Sequence, residues 1–203
     1  MAEQERKLHL VPGAEGRTLG DLGDDDLMLL VKAGRKDAFE TLIRRYQEFV
    51  FGFAARFLGD RSQGRDVAQD VFLALWAERD RYQARGSFKG LLFTMARNRC
   101  HVTARGRRTQ RTKLDALGID PAARPTAPSE PIDELVAAER ARLVQSKLAE
   151  LPEKMRQALI LRYTNGLQLD EIASVTCSPL GSVKATISRG LKRLGRLFEQ
   201  EAQ

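Results

Sequence analysis

The sequence predicts an all-α protein of two small helical domains joined by a flexible linker. Three observations predict it. Apolar residues recur every three or four positions through most of the 203 residues, and no segment sustains a period of two. That periodicity lapses over 109–131, which passes into GIDPAARPTAPSEP; proline and alanine without an apolar stripe mark a semi-extended linker. The stretch LDEIASVTCSPLGSVKATISRGLKRL (169–194) carries two short apolar stripes across Thr176-Cys177-Ser178-Pro179, a gap that fits only a tight turn. Pro179 stops the first helix and its fixed φ suits the first turn of the next, so the pair reads as a helix-turn-helix. The expected organisation is a loose tail over 1–23, a first domain over 24–108, the linker, and a second domain over 132–203.

Composition narrows the partners. The formal net charge is +7 and the sequence pI about 9.7, which favours a polyanion, either nucleic acid or an anionic membrane surface. No apolar run approaches the roughly 18 residues of a membrane span, and the N-terminus lacks the apolar core of a signal peptide. Cys100 and Cys177 are the two cysteines, too far apart for a disulfide framework or a zinc motif. Cys100-His101 is no ligand pair, because neighbouring helical residues point about 100° apart. The expectation is a reducing, cytoplasmic location with no metal and no cofactor.

In the first domain, Asp24-Asp25-Asp26 opens a short helix that Gly34 ends, carboxylates there complementing the helix dipole. A second helix is predicted from Asp37 to Leu58, with Phe39, Leu42, Ile43, Tyr46, Val50, Phe53, Ala54 and Phe57 at helical spacing. A third runs from about Ser62 to Arg79. Val67, Val71 and Leu75 share one side and Ala68, Phe72 and Trp76 its neighbour, with Asp66, Gln69 and Asp70 off the apolar centre. Carboxylates and a tryptophan on a basic protein suggest a protein-facing surface; Trp76 reads equally as core. After the QARGS turn, Ser87 caps a fourth helix over Phe88 to about Arg107. Its apolar stripe is read as Phe88, Leu91, Leu92, Met95 and Val102. Nearly opposite lie Lys89, Phe93, Thr94, Arg97, His101, Arg105 and Arg108. Cations that hold phosphates, interleaved with flat groups that stack on bases, suit unpaired nucleic acid.

In the second domain, Ile132, Leu135, Val136, Leu143 and Leu148 mark one helix. Pro152 sits early in the next, which Asn165-Gly166 ends. The last helix carries Val183, Ile187, Leu191, Leu194 and Phe198 on one side. Its outward face presents Ser182, Lys184, Thr186, Ser188, Arg189, Lys192, Arg193 and Arg196. Short polar groups first and cations after is the order wanted by a helix whose N-terminal part meets base edges in a major groove.

This combination resembles a bacterial sigma factor of the extracytoplasmic-function (ECF) group of the sigma-70 family, which keeps only regions two and four. The carrying motifs are DAFETLIRRYQEFVFGFAARFLGD, RDVAQDVFLALW and FKGLLFTMARNR, then LPEKMRQALILRY, NGL, LDEIA and PLGSVK. The resemblance implies that Asp66, Gln69, Asp70, Phe72 and Trp76 dock on the clamp helices of the largest subunit of core RNA polymerase. It implies that Arg79 to Ser87, with Tyr82 and Arg85, form the loop that captures a flipped base of the −10 element. Helix 88–108, with Lys89, Phe93, Arg97, His101 and Arg105, would melt and read that element. Ser178 to Arg193, with Ser178, Ser182, Lys184, Thr186, Ser188, Arg189, Lys192 and Arg193, would read the −35 element. Implied partners are core polymerase, including the flap of its second-largest subunit, promoter DNA, and an anti-sigma factor of the sort that commonly holds group members inactive. The free protein is expected to be a monomer that is not inserted in a membrane. Several positions depart from the family pattern: Arg65 stands for an acid, His101 for an aliphatic residue, Val102 for a frequent aspartate, Cys177 for a turn glycine and Thr186 for an arginine. Gly190 and Gly195 lie mid-helix.

Two functions compete: a polymerase specificity subunit without covalent chemistry, and an autonomous regulator with a DNA-binding domain and a sensor. The acidic, tryptophan-bearing helix followed by an aromatic and basic one favours the first. An enzyme lacks support, since no carboxylate cluster, histidine pair or phosphate loop has suitable spacing.

Overall fold

The computed structural model describes residues 18–84, 87–116 and 132–200, with the side chains of 108, 110–116 and 132–138 outside that description. Among the described residues there are eight α-helices and no strand: α1 Asp24–Lys32, α2 Lys36–Leu58, α3 Arg61–Ala77, α4 Phe88–Ala116, α5 Ile132–Glu150, α6 Glu153–Leu159, α7 Leu169–Thr176 and α8 Leu180–Glu199. Single 3₁₀ turns cover Leu19–Asp21 and Arg79–Arg81, and a π turn over Ile160–Thr164 continues α6.

The first four helices form one bundle. The α2 stripe buries Leu42, Val50, Phe53, Ala54 and Phe57 against Val67, Val71, Phe72 and Leu75 of α3. The hairpin between them is built from local chemistry. Gly59 takes φ 68 and donates its N–H to Ala55 O; Asp60 then caps α3 by accepting from Gln63 N at 3.2 Å. Gly64 fixes how closely the two helices approach: a Cβ there would fall 2.7 Å from the Ala55 backbone. The helix α1 is clamped to the bundle by Arg45, which donates to Asp24 Oδ1 at 2.7 Å and to Leu22 O at 2.9 Å. Tyr46 and Tyr82 donate to Asp24 and Asp25. Desolvation, then the carboxylate each tyrosine faces, raises both phenol pKa values. Residues 18–23, expected as loose tail, are therefore docked, with Leu22 buried.

The fourth helix departs from expectation in two ways. It continues to Ala116, so the first eight residues expected as linker are helical; 117–131 lie outside the described residues. Its buried stripe is Phe88, Leu92, Phe93, Ala96 and Cys100, not Leu91 and Val102, which are exposed. Phe93 is 0% exposed, its ring edge-on to Phe53 at 5.7 Å. Ala96 and Cys100 are small apolar residues that extend the stripe begun by Phe88 and Leu92. Counting them turns the apolar face away from Leu91 and Val102.

The second domain packs α5 to α8 around Leu148, Leu151, Leu159, Ile160, Leu161, Leu167, Ile172, Val175, Val183 and Ile187. Gly166 turns the chain at φ 64. The stripe of α8 runs Val183, Ile187, Gly190, Leu194, Leu197; Leu191 faces outward. Gly190 lets the helix sit against Leu159, whose side chain would be 3.2 Å from an added Cβ. Pro152 and Pro179 are N-caps rather than first-turn residues.

Candidate polymerase-docking and nucleic-acid interfaces

A groove of about 700 Å³ lies between α2 and α3. Phe39, Ile43, Phe51, Ala68, Phe72, Leu73 and Trp76 line it, with Lys36, Glu40, Glu48, Arg65 and Gln69 at its polar edge. Trp76 resolves both sides of its ambiguity. Its ring packs 5.0 Å from Phe39, and its partly buried edge forms a groove wall with the Arg79 guanidinium 4.6 Å above it. Asp66, Gln69 and Asp70 are exposed on the outward side of α3, whereas Phe72 is groove floor. Leu73 is 59% exposed beside them. The sequence reading missed it because a leucine in an apolar run looks like core.

The helix-turn-helix is α7, a turn and α8. Cys177 ends α7 at φ 49, its N–H reaching Ser174 O while Ser178 N reaches Ala173 O. Ser182, Lys184, Ser188, Arg189, Lys192 and Arg193 are exposed along α8; Thr186 and Ser178 are partly so, the Ser178 hydroxyl donating to Thr176 O. Short polar groups lead and cations follow, an order that suits entry into a major groove.

The surface expected on α4 is divided differently. Tyr82 is buried with its hydroxyl on Asp25, and Phe93 is core, so neither ring is available to stack on a base in this conformation. Arg85 lies outside the described residues. Ser87 caps α4 through Gly90 N at 3.2 Å. The solvent side of the helix carries Leu91, Asn98, Arg99, Val102 and Arg105. Asn98 and Arg99 escaped the sequence reading because the stripe had been set at the wrong angle. Lys89, Arg97 and His101 are partly buried, Lys89 and His101 on the flank that faces the second domain. His101 Nδ1 is 3.2 Å from Glu153 Oε1. Burial lowers its pKa, outweighing the opposite pull of Glu153, while Arg97 and Arg105 add to the lowering. Cys100 is buried and its thiol pushed up to about 12, which leaves little thiolate for redox chemistry. Among the described residues, no group of His, Cys, Asp and Glu could hold a metal, and no helix is long and apolar enough to cross a membrane.

A bundle with an apolar groove and a helix-turn-helix domain with a basic reading helix define a two-domain, DNA-directed helical protein. The family model for sigma-70 region 2 matches residues 42–110, and that for sigma-70 region 4 matches 141–194. The ECF RNA polymerase sigma-E factor of Haemophilus influenzae is 30% identical over 173 residues, covering 83% of this chain and 91% of that protein. The RNA polymerase sigma-H factor of Pseudomonas aeruginosa is 29% identical over 185 residues, covering 87% and 94%. The structure of CnrH in complex with the cytosolic domain of CnrY shares the fold, with a TM-score of 0.67 at 24% identity over 87% of this chain and 97% of that one. The sigma factor RpoE of Bartonella quintana, solved with the anti-sigma factor NepR, has a TM-score of 0.65 at 24% identity, over 81% and 98%. The chain belongs to the ECF group of the sigma-70 family, whose members give RNA polymerase its promoter specificity.

Proposed function

We propose that this sigma factor docks on core RNA polymerase through the α2–α3 groove, reads the −35 element with α8, and reads and melts the −10 element with α4. The groove carries the reading. It is an unfilled apolar trough with Trp76 and Leu73 at its edge and exposed Asp66, Gln69 and Asp70 beside it, on a protein of opposite net charge. Such an aromatic centre with a polar rim suits a helical protein partner, and the clamp helices of the largest subunit are the partner the family supplies. For DNA, the exposed part of α4 offers Asn98, Arg99 and Arg105, and α8 offers its serines and cations. The role is binding and positioning, without covalent chemistry, in the cytoplasm. The flap of the second-largest subunit would hold the second domain, and an anti-sigma factor is a further partner, on the likeness to a sigma factor solved with one.

The experiment is a pull-down with core polymerase. Asp66→Lys with Asp70→Lys, both on the exposed side of α3, should abolish binding while circular dichroism stays that of the parent. Undiminished binding would remove the acidic side of α3, beside the groove, from the docking surface.

A further inference from the structure

A cavity of about 350 Å³ lies between the start of α1, the middle of α2, the first turn of α4 and the turn that follows the π turn. Asp24, Arg45, Tyr46, Phe49, Lys89 and Asn165 line it. Its size falls in the range of small-molecule sites, about 300–1,000 Å³.

Its lining holds groups that the fold leaves incomplete. Asn165 is 3% exposed. Its N–H donates to Ile160 O at 3.1 Å and its Nδ2 to Phe49 O at 2.9 Å. The second bond fixes which end of the amide is oxygen. That Oδ1 is buried and accepts no hydrogen bond among the described residues, which costs stability. Lys89 is partly buried, its Nζ 4.0 Å from where a Cβ on Gly166 would stand. It has no hydrogen bond or ion pair among the described residues. As the second residue of α4 it also faces the positive end of its own helix dipole. Phe49 is 49% exposed, its ring centroid 6.4 Å from that of Tyr46 and the two planes tilted by 56°. Asp24 is pinned by Arg45 at 2.7 Å and by the Tyr46 hydroxyl, yet each carboxylate oxygen keeps a lone pair.

These groups amount to one ammonium donor, two oxygen acceptors and a flat apolar face. A ligand that completes them is planar and carries one acceptor beside two donors. Among the nucleobases that edge belongs to guanine, whose O6 accepts while N1–H and the 2-amino group donate. Adenine and cytosine place a donor where O6 would be, and uracil has one donor between two acceptors. We propose that this cavity binds a guanine nucleotide. Lys89 donates to O6, Asn165 Oδ1 and the Asp24 carboxylate accept from N1–H and the 2-amino group, and the base stacks on Phe49. A free nucleotide and an unpaired guanine in a strand share this edge. The volume favours the first, since it takes one nucleotide and leaves no room for the neighbours in a strand.

The test is calorimetric titration of the full chain with 5′-GMP, 5′-IMP, 5′-AMP and ribose 5-phosphate at millimolar concentration. 5′-GMP should bind at a single site. 5′-IMP lacks the 2-amino group and should bind about tenfold more weakly; 5′-AMP, which turns a donor toward Lys89, should be weaker still. Ribose 5-phosphate should give no heat beyond dilution, which separates this site from phosphate binding by a basic protein. Lys89→Met and Phe49→Ala alter side chains that are partly or well exposed, and each should weaken 5′-GMP about tenfold at unchanged helicity. No binding of 5′-GMP, equal affinity for the three purines, or undiminished binding by Lys89→Met overturns the proposal. A thymidine strand carrying one guanine forms the last arm. If it binds in a Lys89-dependent way while 5′-GMP does not, the guanine belongs to DNA and the free-nucleotide site is overturned.

Discussion

Cys177 holds the left-handed backbone position of the helix-turn-helix at φ 49. A Cβ there costs about 1 kcal/mol relative to glycine. The side chain offsets little of that cost, since it is exposed and makes only a long 3.8 Å contact to Ser174 O. Cys177→Gly should therefore raise stability by about 1 kcal/mol, seen as a higher urea midpoint at unchanged slope. An unchanged or lower midpoint would mean that the turn is not strained. His101 gives a second prediction at this scale. Its ordinary value of 6.5 is lowered in the folded chain, chiefly by burial. A group so depressed leaves stability undiminished above about pH 6.5 and lowers it as the pH falls below, because the unfolded chain binds the proton more readily. Glu153 opposes that loss, and Arg97 and Arg105 deepen it. The urea midpoint should fall between pH 7 and 5.5, and His101→Gln should flatten the response.

At the scale of elements, the α2–α3 hairpin depends on Gly64. A methyl group there meets the Ala55 N and Cα at 2.7 Å, and backbone cannot rotate away as a flexible side chain can. Gly64→Ala should cost about 1–3 kcal/mol despite alanine's better helix propensity, and should widen the docking groove, weakening polymerase binding in parallel. A stabilised Gly64→Ala protein would show the crossing to be looser than described. What the sequence revealed at this scale follows its periodicity. The long helices, the break between Leu58 and Ser62 and the helix-turn-helix were legible because each is written locally in apolar spacing and capping residues. The angle of a stripe was less so. On α4, Leu91 and Val102 looked like core and Phe93 like surface, since hydrophobicity alone does not weigh Ala96 and Cys100 as buried partners. On α8, Gly190 takes the buried place that Leu191 seemed to claim, because close approach to Leu159 favours the smaller residue. Continuation of α4 to Ala116 was hidden by the charge of 105–113, which reads as linker and forms helix equally well.

For the whole molecule, the division into two helical units was visible in the motifs. The seam between them was not, because contacts such as Ser87–Glu171 and Asn165–Phe49 join residues 84 and 116 positions apart that no local pattern links. The central claim is that this chain makes polymerase open promoters. It is tested most directly by permanganate footprinting of genomic DNA from its own host, incubated with host core polymerase with and without the protein. The account predicts clusters of reactive, unpaired thymines that appear only when both are present, upstream of new transcript starts. Arg105→Ala with Asn98→Ala, both on the exposed side of α4, should spare holoenzyme assembly and remove those clusters. If the protein instead bound duplex sites without polymerase and no thymine became reactive when the two were combined, the polymerase-subunit account would be contradicted and an autonomous DNA-binding regulator would take its place.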